Sequence, residues 1–280
     1  MALLAQRGWP AGEGCLWGSA NCCYTSGMEI IVSMTTVPER VPLLHHSLEA
    51  LLAQTYRPDR LILWLYDMIL PDGARIGAGY LPDNLLALQA QGLEIRYCRD
   101  VGPHTKLLPA WAQFPAAAIV TVDDDTLYPP EWLGELVTSW QAQPDVIHCQ
   151  RAHYITLEDD GLSVRPYPEW QTGAPGRLGP DHRLFATGHG GVLYPPGSLH
   201  SELTNEAVFR QLCPTQDDVW FKAMALLQGT PVRKVAPDSR DYPLIPGTEV
   251  RMLWSQNESG NDRQIRAVFA HYALLPLLAD

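Results

Sequence analysis

From residue 28 onward the chain alternates short apolar runs with amphipathic stretches. MEIIVSMTT carries an apolar run at 30–34 that reads as a buried strand. Leu44, Leu48, Leu51 and Leu52 then recur at helical spacing, with Pro42 where a first turn tolerates proline. LILWLY at 61–66 reads as a second strand. Asp83 is placed to cap a helix bearing Leu85, Leu86 and Leu88, which Gly92 stops. A third strand is predicted at 93–97, a short helix at 107–113 and a fourth strand, AIVTV, at 118–122. Pro130 opens a helix that buries Leu133, Leu136, Val137 and Trp140, and another strand follows at 146–149. This alternation predicts an α/β fold whose mostly parallel sheet is covered on both faces. Residues 155–185 hold several prolines and glycines and little period, which predicts a long loop with a hairpin. Helices are expected at 204–212 and 217–228, the second ended by Gly229. A last helix starts near Asn261, with Asn261 and Asp262 as caps, and buries Ile265, Val268, Phe269 and Tyr272.

Composition narrows the function. The 280 residues suffice for one sizeable core. A formal net charge of −11 argues against a nucleic-acid partner, which needs a basic face. An acidic protein that handles an anionic small molecule needs local positive charge, and a bound divalent cation supplies it. No apolar run is long enough to span a bilayer, and the first residues lack a signal-peptide core. The expectation is a cytoplasmic protein, with membrane contact at most peripheral. The six cysteines match no zinc spacing and read as reduced thiols. Residues 1–27, rich in Gly, Ala, Ser, Trp and Cys, differ from the rest. They are expected to be a disordered or non-native extension ahead of a single domain at 28–280, although Trp9 and Trp17 leave an ordered arm open.

The strongest chemical signal is VTVDDDTLYPPEW, where an apolar strand ends in three carboxylates. Ligands of open α/β sheets bind beyond the carboxyl ends of strands. Alternation puts Asp123 and Asp125 on one side, where together they can address a hard cation, Mn2+ or Mg2+, also held by a diphosphate. The plainer reading is an acidic turn that caps the following helix.

VDDD after a hydrophobic strand resembles the DxD motif of GT-A glycosyltransferases. The segment IIVSMTTVPERVPLLHHSLEALLAQTYRPDRLILWL resembles the first strand–helix–strand unit of bacterial family-two-like enzymes. In order along the chain, KLLPAW, DDDTLYPPEWL, GGVLYPPGSL, CPTQDDVWF and GNDRQI resemble transferases of surface-polysaccharide clusters. The resemblance runs from Met28 to the C-terminus except in the middle loop. It implies a GT-A fold, Rossmann-like with helices on both faces of the sheet. It also implies transfer of a sugar from a nucleotide-diphosphate donor, a UDP-sugar first, to a hydroxyl of a glycan or lipid-linked glycan, with inversion.

Site residues follow from that resemblance. Thr35, Thr36, Arg40 and Asp67 would lie along the nucleotide with Asp123 and Asp124, and Asp125 and Asp123 would hold the metal. Lys106 would contact the diphosphate. In TQDDVWF, Asp218 or Asp217 would act as general base. The plainer reading is a helix cap, with Thr215 or Asp217 in that role and Asp218 left for catalysis. The loop with His189, Gly190 and Gly191 would face the sugar and acceptor, joined by His153; His148 and Arg151 either line the acceptor pocket or are polar core residues. Two rivals share the sheet or the ligand: a sugar-phosphate nucleotidyltransferase, for which VSMTTVPER lacks the Gly-rich loop, and a catalytically inactive sugar-binding module. A DxDx[TV] phosphohydrolase would need its Asp pair after the first strand and Thr or Val where Leu127 stands.

Overall fold

A computed structural model describes residues 27–77, 81–248 and 258–278. The expectation for residues 1–27 therefore lies outside the described residues, Gly27 apart. The elements run β1 (Ile30–Thr35), α1 (Leu44–Leu52), β2 (Arg60–Leu65), the two-residue strands β3 (Met68–Ile69) and β4 (Arg75–Ile76), α2 (Asp83–Gln89), β5 (Leu93–Tyr97), α3 (Leu108–Gln113), β6 (Ala118–Thr121), α4 (Trp132–Ala142), β7 (Ile147–Cys149), β8 (Ala152–Tyr154), β9 (Leu184–Ala186), β10 (Val192–Tyr194), α5 (Glu206–Leu212), α6 (Asp217–Gln228), β11 (Val232–Lys234) and α7 (Glu258–Tyr272).

Seven strands form the central sheet in the order β11-β7-β10-β6-β1-β2-β5. All its pairings are parallel except the two made by β10, which runs against β6 and β7. This is the mostly parallel α/β sheet that the alternation predicts, in keeping with the GT-A fold that the resemblance implies. Alternate residues feed two cores. Ile31, Ile62, Trp64, Ile119 and Val192 pack with α6 and α7 on one face. Ile30, Val32, Leu63, Val120 and Leu193 pack with α1, α2 and α4 on the other. Burial on both faces explains why these strands read as continuous apolar runs.

Several local expectations are corrected. Pro42 precedes α1, which starts at Leu44 after Leu43 at the N-cap. Pro130 lies ahead of α4, whose N-cap is Glu131. Pro82 holds the N-cap of α2 and Asp83 makes no capping bond; the Asn84 side chain instead accepts the Leu85 amide at 2.9 Å. Gln216 is the N-cap of α6, so neither Thr215 nor Asp217 caps it, and Thr215 is held by Gln264 at 2.8 Å. Asn261 and Asp262 lie inside α7 rather than at its start, and the Asp262 carboxylate accepts the Tyr167 amide at 2.7 Å. The helix expected at 204–212 divides into a 3-10 turn, Ser201–Thr204, and α5. The loop at 155–185 is closed at its base by the antiparallel pair β8–β9. Gly229 ends α6 in the left-handed region, as expected. Strand β11 and the β3–β4 pair carried no recognisable period in so few residues. The three described cysteines, Cys98, Cys149 and Cys213, are free. No described helix is long and apolar enough to cross a membrane.

Candidate active site at the ends of the central strands

The middle strands β1 and β6 end side by side, and their following turns carry most of the charge. After β1 a 3-10 turn, Pro38–Arg40, brings Arg40 back over the sheet. Its guanidinium binds the Asp124 carboxylate at 2.5 Å and that of Asp125 at 2.8 Å. The Thr36 hydroxyl donates to Asp124 at 2.6 Å. Asp124 is thereby bound inside the protein by two residues of the β1 turn.

Lys106 ends a 3-10 turn, His104–Lys106, ahead of α3. Its carbonyl accepts the Ser33 hydroxyl at 2.6 Å, and Ser33 in turn accepts the Trp64 indole N–H at 3.0 Å. This chain seats the turn against β1 and β2. The buried amine lies 2.7 Å from Asp123 and 2.9 Å from Asp217. Lys106 therefore joins the DDD run to the acidic pair of α6.

The loop at Gly188–Gly190 closes the arrangement. The Gly188 N–H donates to both oxygens of Asp218, at 3.1 and 3.0 Å. A Cβ on Gly188 would stand 2.6 Å from the Lys106 amine, 3.0 Å from Asp123 and 3.3 Å from Asp218. Three groups from three distant segments thus converge on one point, which only glycine leaves open. Gly191 takes φ +80, and a Cβ there would lie 2.2 Å from the Trp132 ring. The Trp132 indole donates to the Gly190 carbonyl at 2.8 Å. These glycines let the loop backbone approach α4 and the carboxylates closely.

His189 is engaged on both ring nitrogens. The Tyr242 amide lies 3.4 Å from Nε2 and the Thr126 hydroxyl 3.2 Å from Nδ1. With Nε2 accepting, Nδ1 carries the proton and Thr126 receives it. The Thr126 hydroxyl then donates to Asp125 at 3.3 Å. Burial holds His189 below its ordinary pKa, against the pull of Asp123. The Tyr128 hydroxyl, beside the Asp123 amide at 3.0 Å and the His189 carbonyl at 3.3 Å, joins the same two loops.

The carboxylates differ electrostatically. Burial and the neighbouring Asp217 push Asp218 up to about 7, with Asp123 adding to the rise. Burial also raises Asp217, and the attraction of Lys106 only partly opposes it. Burial and repulsion from Asp123 raise Asp125 to about 6. Burial would raise Asp123 too, but the Lys106 ammonium outweighs it and holds the carboxyl low. Lys106 itself is held charged by Asp123, Asp217 and Asp218 against its burial. Five carboxylates, Asp123, Asp124, Asp125, Asp217 and Asp218, face two protein cations, Arg40 and Lys106, and the shortage of positive charge shows in the raised Asp125, Asp217 and Asp218.

A divalent cation would relieve that shortage by favouring the ionised carboxylates. No group of three or more His, Cys, Asp or Glu side chains among the described residues forms a complete ligand set. Magnesium-type sites need only one or two carboxylates when substrate phosphates complete the shell. Asp123 and Asp125 supply that number of carboxylates, each already held by a protein cation, Lys106 at 2.7 Å and Arg40 at 2.8 Å.

Other expected residues lie at different distances from this centre. The Thr35 hydroxyl donates to the Trp64 carbonyl at 3.0 Å, tying the strand ends together. Asp67, ahead of β3, is bound by Arg75 of β4 at 2.7 Å, with both side chains exposed. His153 accepts the Gly173 amide at 3.1 Å and packs edge-on to Tyr167, with centroids 5.6 Å apart; burial and Arg151 lower it to about 4. Arg151 reaches Asp241 at 2.6 Å and the Thr187 hydroxyl at 2.9 Å, beside the glycine loop. His148 bridges Ser139 and the Gln143 carbonyl, both at 2.9 Å, and is a polar core residue of the α4–β7 junction. Ser33, Thr126, Tyr128 and Tyr242 were not singled out from sequence. Thr126 and Tyr128 stand within DDDTLYPP, so proximity to the carboxylates was the available signal; Tyr242 had none.

Comparisons with known proteins bear on the fold. No protein-family profile matches the chain, and no curated protein matches it. Among solved structures, a mycobacterial protein superposes with a TM-score of 0.50 at 13% identity, over 90% of this chain and 77% of that one. Residues 1–349 of TarS from S. aureus give a TM-score of 0.47 at 14% identity over 77% of this chain, and TarS has also been solved in complex with UDP. This chain spans 60% of that TarS segment. A CMP:2-keto-3-deoxy-manno-octonic acid synthetase complexed with CTP gives 0.42 at 12% identity, over 84% of this chain and 97% of that one. At such identities the likeness concerns fold alone.

Proposed function

We propose that the chain is a metal-dependent glycosyltransferase that moves a sugar from a nucleotide-diphosphate donor, a UDP-sugar first, to a hydroxyl of a glycan or lipid-linked glycan, inverting the anomeric carbon. The observation that carries this reading is the convergence of Asp218, Asp123 and Lys106 around Gly188. It sets a base candidate beside the DDD run at the carboxyl ends of the central strands. In this reading the acceptor oxygen attacks the anomeric carbon while Asp218 takes its proton. The bond from that carbon to the diphosphate oxygen breaks, and the nucleoside diphosphate leaves with the electron pair. The Gly188 amide fixes the Asp218 plane, and the raised pKa suits a carboxylate that must hold a proton near neutrality. Lys106, shared by Asp123 and Asp217, keeps the donor and base segments in register. A bound Mn2+ or Mg2+ on Asp125 and Asp123 would neutralise the diphosphate.

The test is release of nucleoside diphosphate from a panel of nucleotide-sugars, with and without manganese, on the wild-type chain and on Asp218→Asn. Metal-dependent release that Asp218→Asn lacks supports the reading. If no donor is bound or consumed, or only sugar phosphate with a nucleoside triphosphate reacts, it is wrong.

A further inference from the structure

The middle loop, where the resemblance was silent, carries a charge arrangement that the proposed reaction leaves unused. Tyr154 ends β8, and two guanidiniums lie over its ring: Arg177 at 3.8 Å and Arg183 at 4.6 Å from the centroid. The Arg177 Nε donates to Gln171 at 3.2 Å and the Arg183 Nε to the Ile155 carbonyl at 2.9 Å. These bonds orient both forks through their inner nitrogens. The outer nitrogens have no hydrogen-bond or ion-pair partner among the described residues. The nearby carboxylate, Asp181, is already used: it accepts the Tyr154 hydroxyl at 3.2 Å and the Arg183 backbone amide at 2.6 Å. Behind it Lys222 is buried without a hydrogen-bond partner, and attraction to Asp181 partly opposes its desolvation.

The chain has 31 Asp and Glu against 20 Lys and Arg, so cations have a surplus of anions to choose from. Most described arginines do pair, including Arg165 in the same loop, with Asp159 at 2.8 Å. Two oriented guanidiniums with open outer nitrogens against one tyrosine ring, beside an already occupied carboxylate, offer donors to an external oxyanion. Guanidinium forks match phosphate geometry bidentately, and ring stacking holds their planes. The position is also informative. Tyr154 pairs with Leu184 on β9, and the chain runs from β9 directly into the Gly188 turn that holds Asp218.

We infer that Arg177 and Arg183, stacked on Tyr154, form an anion subsite for a phosphate group carried by the acceptor. This rests on the glycosyltransferase reading for the identity of the acceptor, but not for the binding of phosphate. Two sources of the group are separable: a phosphodiester within an acceptor glycan, and the diphosphate of a lipid-linked acceptor.

The first experiment needs no turnover. Inorganic phosphate is titrated into the full chain without metal, at constant ionic strength against chloride, and followed by thermal shift and calorimetry. Saturable stabilisation is expected in the wild type and in Asp218→Asn, with at least tenfold weaker binding in Arg177→Gln/Arg183→Gln. Arg177→Lys/Arg183→Lys keeps the charge but loses the fork, and guards against a folding defect; it should bind with intermediate affinity. Phosphate binding that is no stronger than chloride, or that survives in the double Gln variant, overturns the proposal. So does tighter binding of glucuronate than of phosphate. The second experiment compares a neutral acceptor with glycerol-phosphate-bearing and lipid-diphosphate-bearing ones. The double Gln variant should raise KM at least tenfold for one phosphate-bearing class, with kcat and the neutral-acceptor KM unchanged; the class affected identifies the source. An unchanged KM for both overturns the acceptor assignment. Failure of the wild type to transfer any sugar, with phosphate binding intact, counts against the glycosyltransferase reading and leaves the subsite standing.

Discussion

At the scale of single residues, Asp218 is where the site's electrostatics and its chemistry meet. A carboxyl raised to about 7 must be ionised to accept a proton, so kcat should climb as pH rises through about 7 and fall away below it. Asp218→Asn should lose roughly two to four orders of magnitude in kcat while donor affinity, measured by calorimetry, stays within about twofold. The same shift has a stability sign. The unfolded carboxyl loses its proton near 4, whereas the folded one keeps it to about 7, so between those values the native state binds the extra proton. This group's contribution therefore makes stability fall as pH rises across that window. Asp218→Asn should melt higher than the wild type at pH 8, with the gain shrinking toward pH 4; a lower melting temperature at pH 8 would contradict the argument. Asp125 tests the metal. Asp125→Ala should abolish manganese-dependent binding of UDP without unfolding the chain, and titration calorimetry with and without manganese reads it directly. The glycine loop gives a paired test. Gly191→Ala places a Cβ against the Trp132 ring at positive φ and should lower the melting temperature sharply. Gly188→Ala pushes instead on the flexible end of Lys106. It should fold and lose turnover.

At the scale of elements, short β11 does more than its three residues suggest. Lys234 is fully buried, and its amine donates to the carbonyls of Gly173 at 2.9 Å, Ala174 at 2.7 Å and Pro237 at 2.6 Å. It thus fastens the middle loop to the segment that follows β11. That segment then runs back to the site: Asp241 meets Arg151, the Tyr242 amide meets His189, and the Ile245 amide donates to the Asp125 carbonyl at 2.8 Å. Lys234→Met would leave three carbonyls without their donor and should cost about 3 kcal/mol, an order-of-magnitude value for orphaned buried acceptors of a charged donor. Denaturant melts check the loss, and limited proteolysis should show cleavage appearing first within 155–185. None of this was legible in VRK, because a three-residue strand has no period and two of the three carbonyls that Lys234 binds lie 60 and 61 positions away. The long strands were legible because their apolar runs are buried on both faces.

For the molecule as a whole, the two cores meet across one sheet that begins at Ile30. We expect a shortened chain starting at Met28 to melt at the temperature of the full chain; a large fall would assign residues 1–27 a packing role. What the sequence by itself determined is local: the order of strands and helices, the Asp run at the end of β6, the acidic pair opening α6 and the glycine turn before β10. Each follows from periodicity or residue type within about ten neighbours. Tertiary structure alone decided which charges face one another. Antiparallel β10 sits between β6 and β7, and this places Gly188 against Asp218, 30 residues on. Arg40 meets Asp124 across 84 residues, and Lys106 joins carboxylates from two separate segments. Such pairings depend on sheet order, and sheet order depends on how the helices cover both faces, which no local window contains. The same holds for Arg177 and Arg183, whose stacking on Tyr154 exists only because β8 and β9 pair at the base of a loop without period.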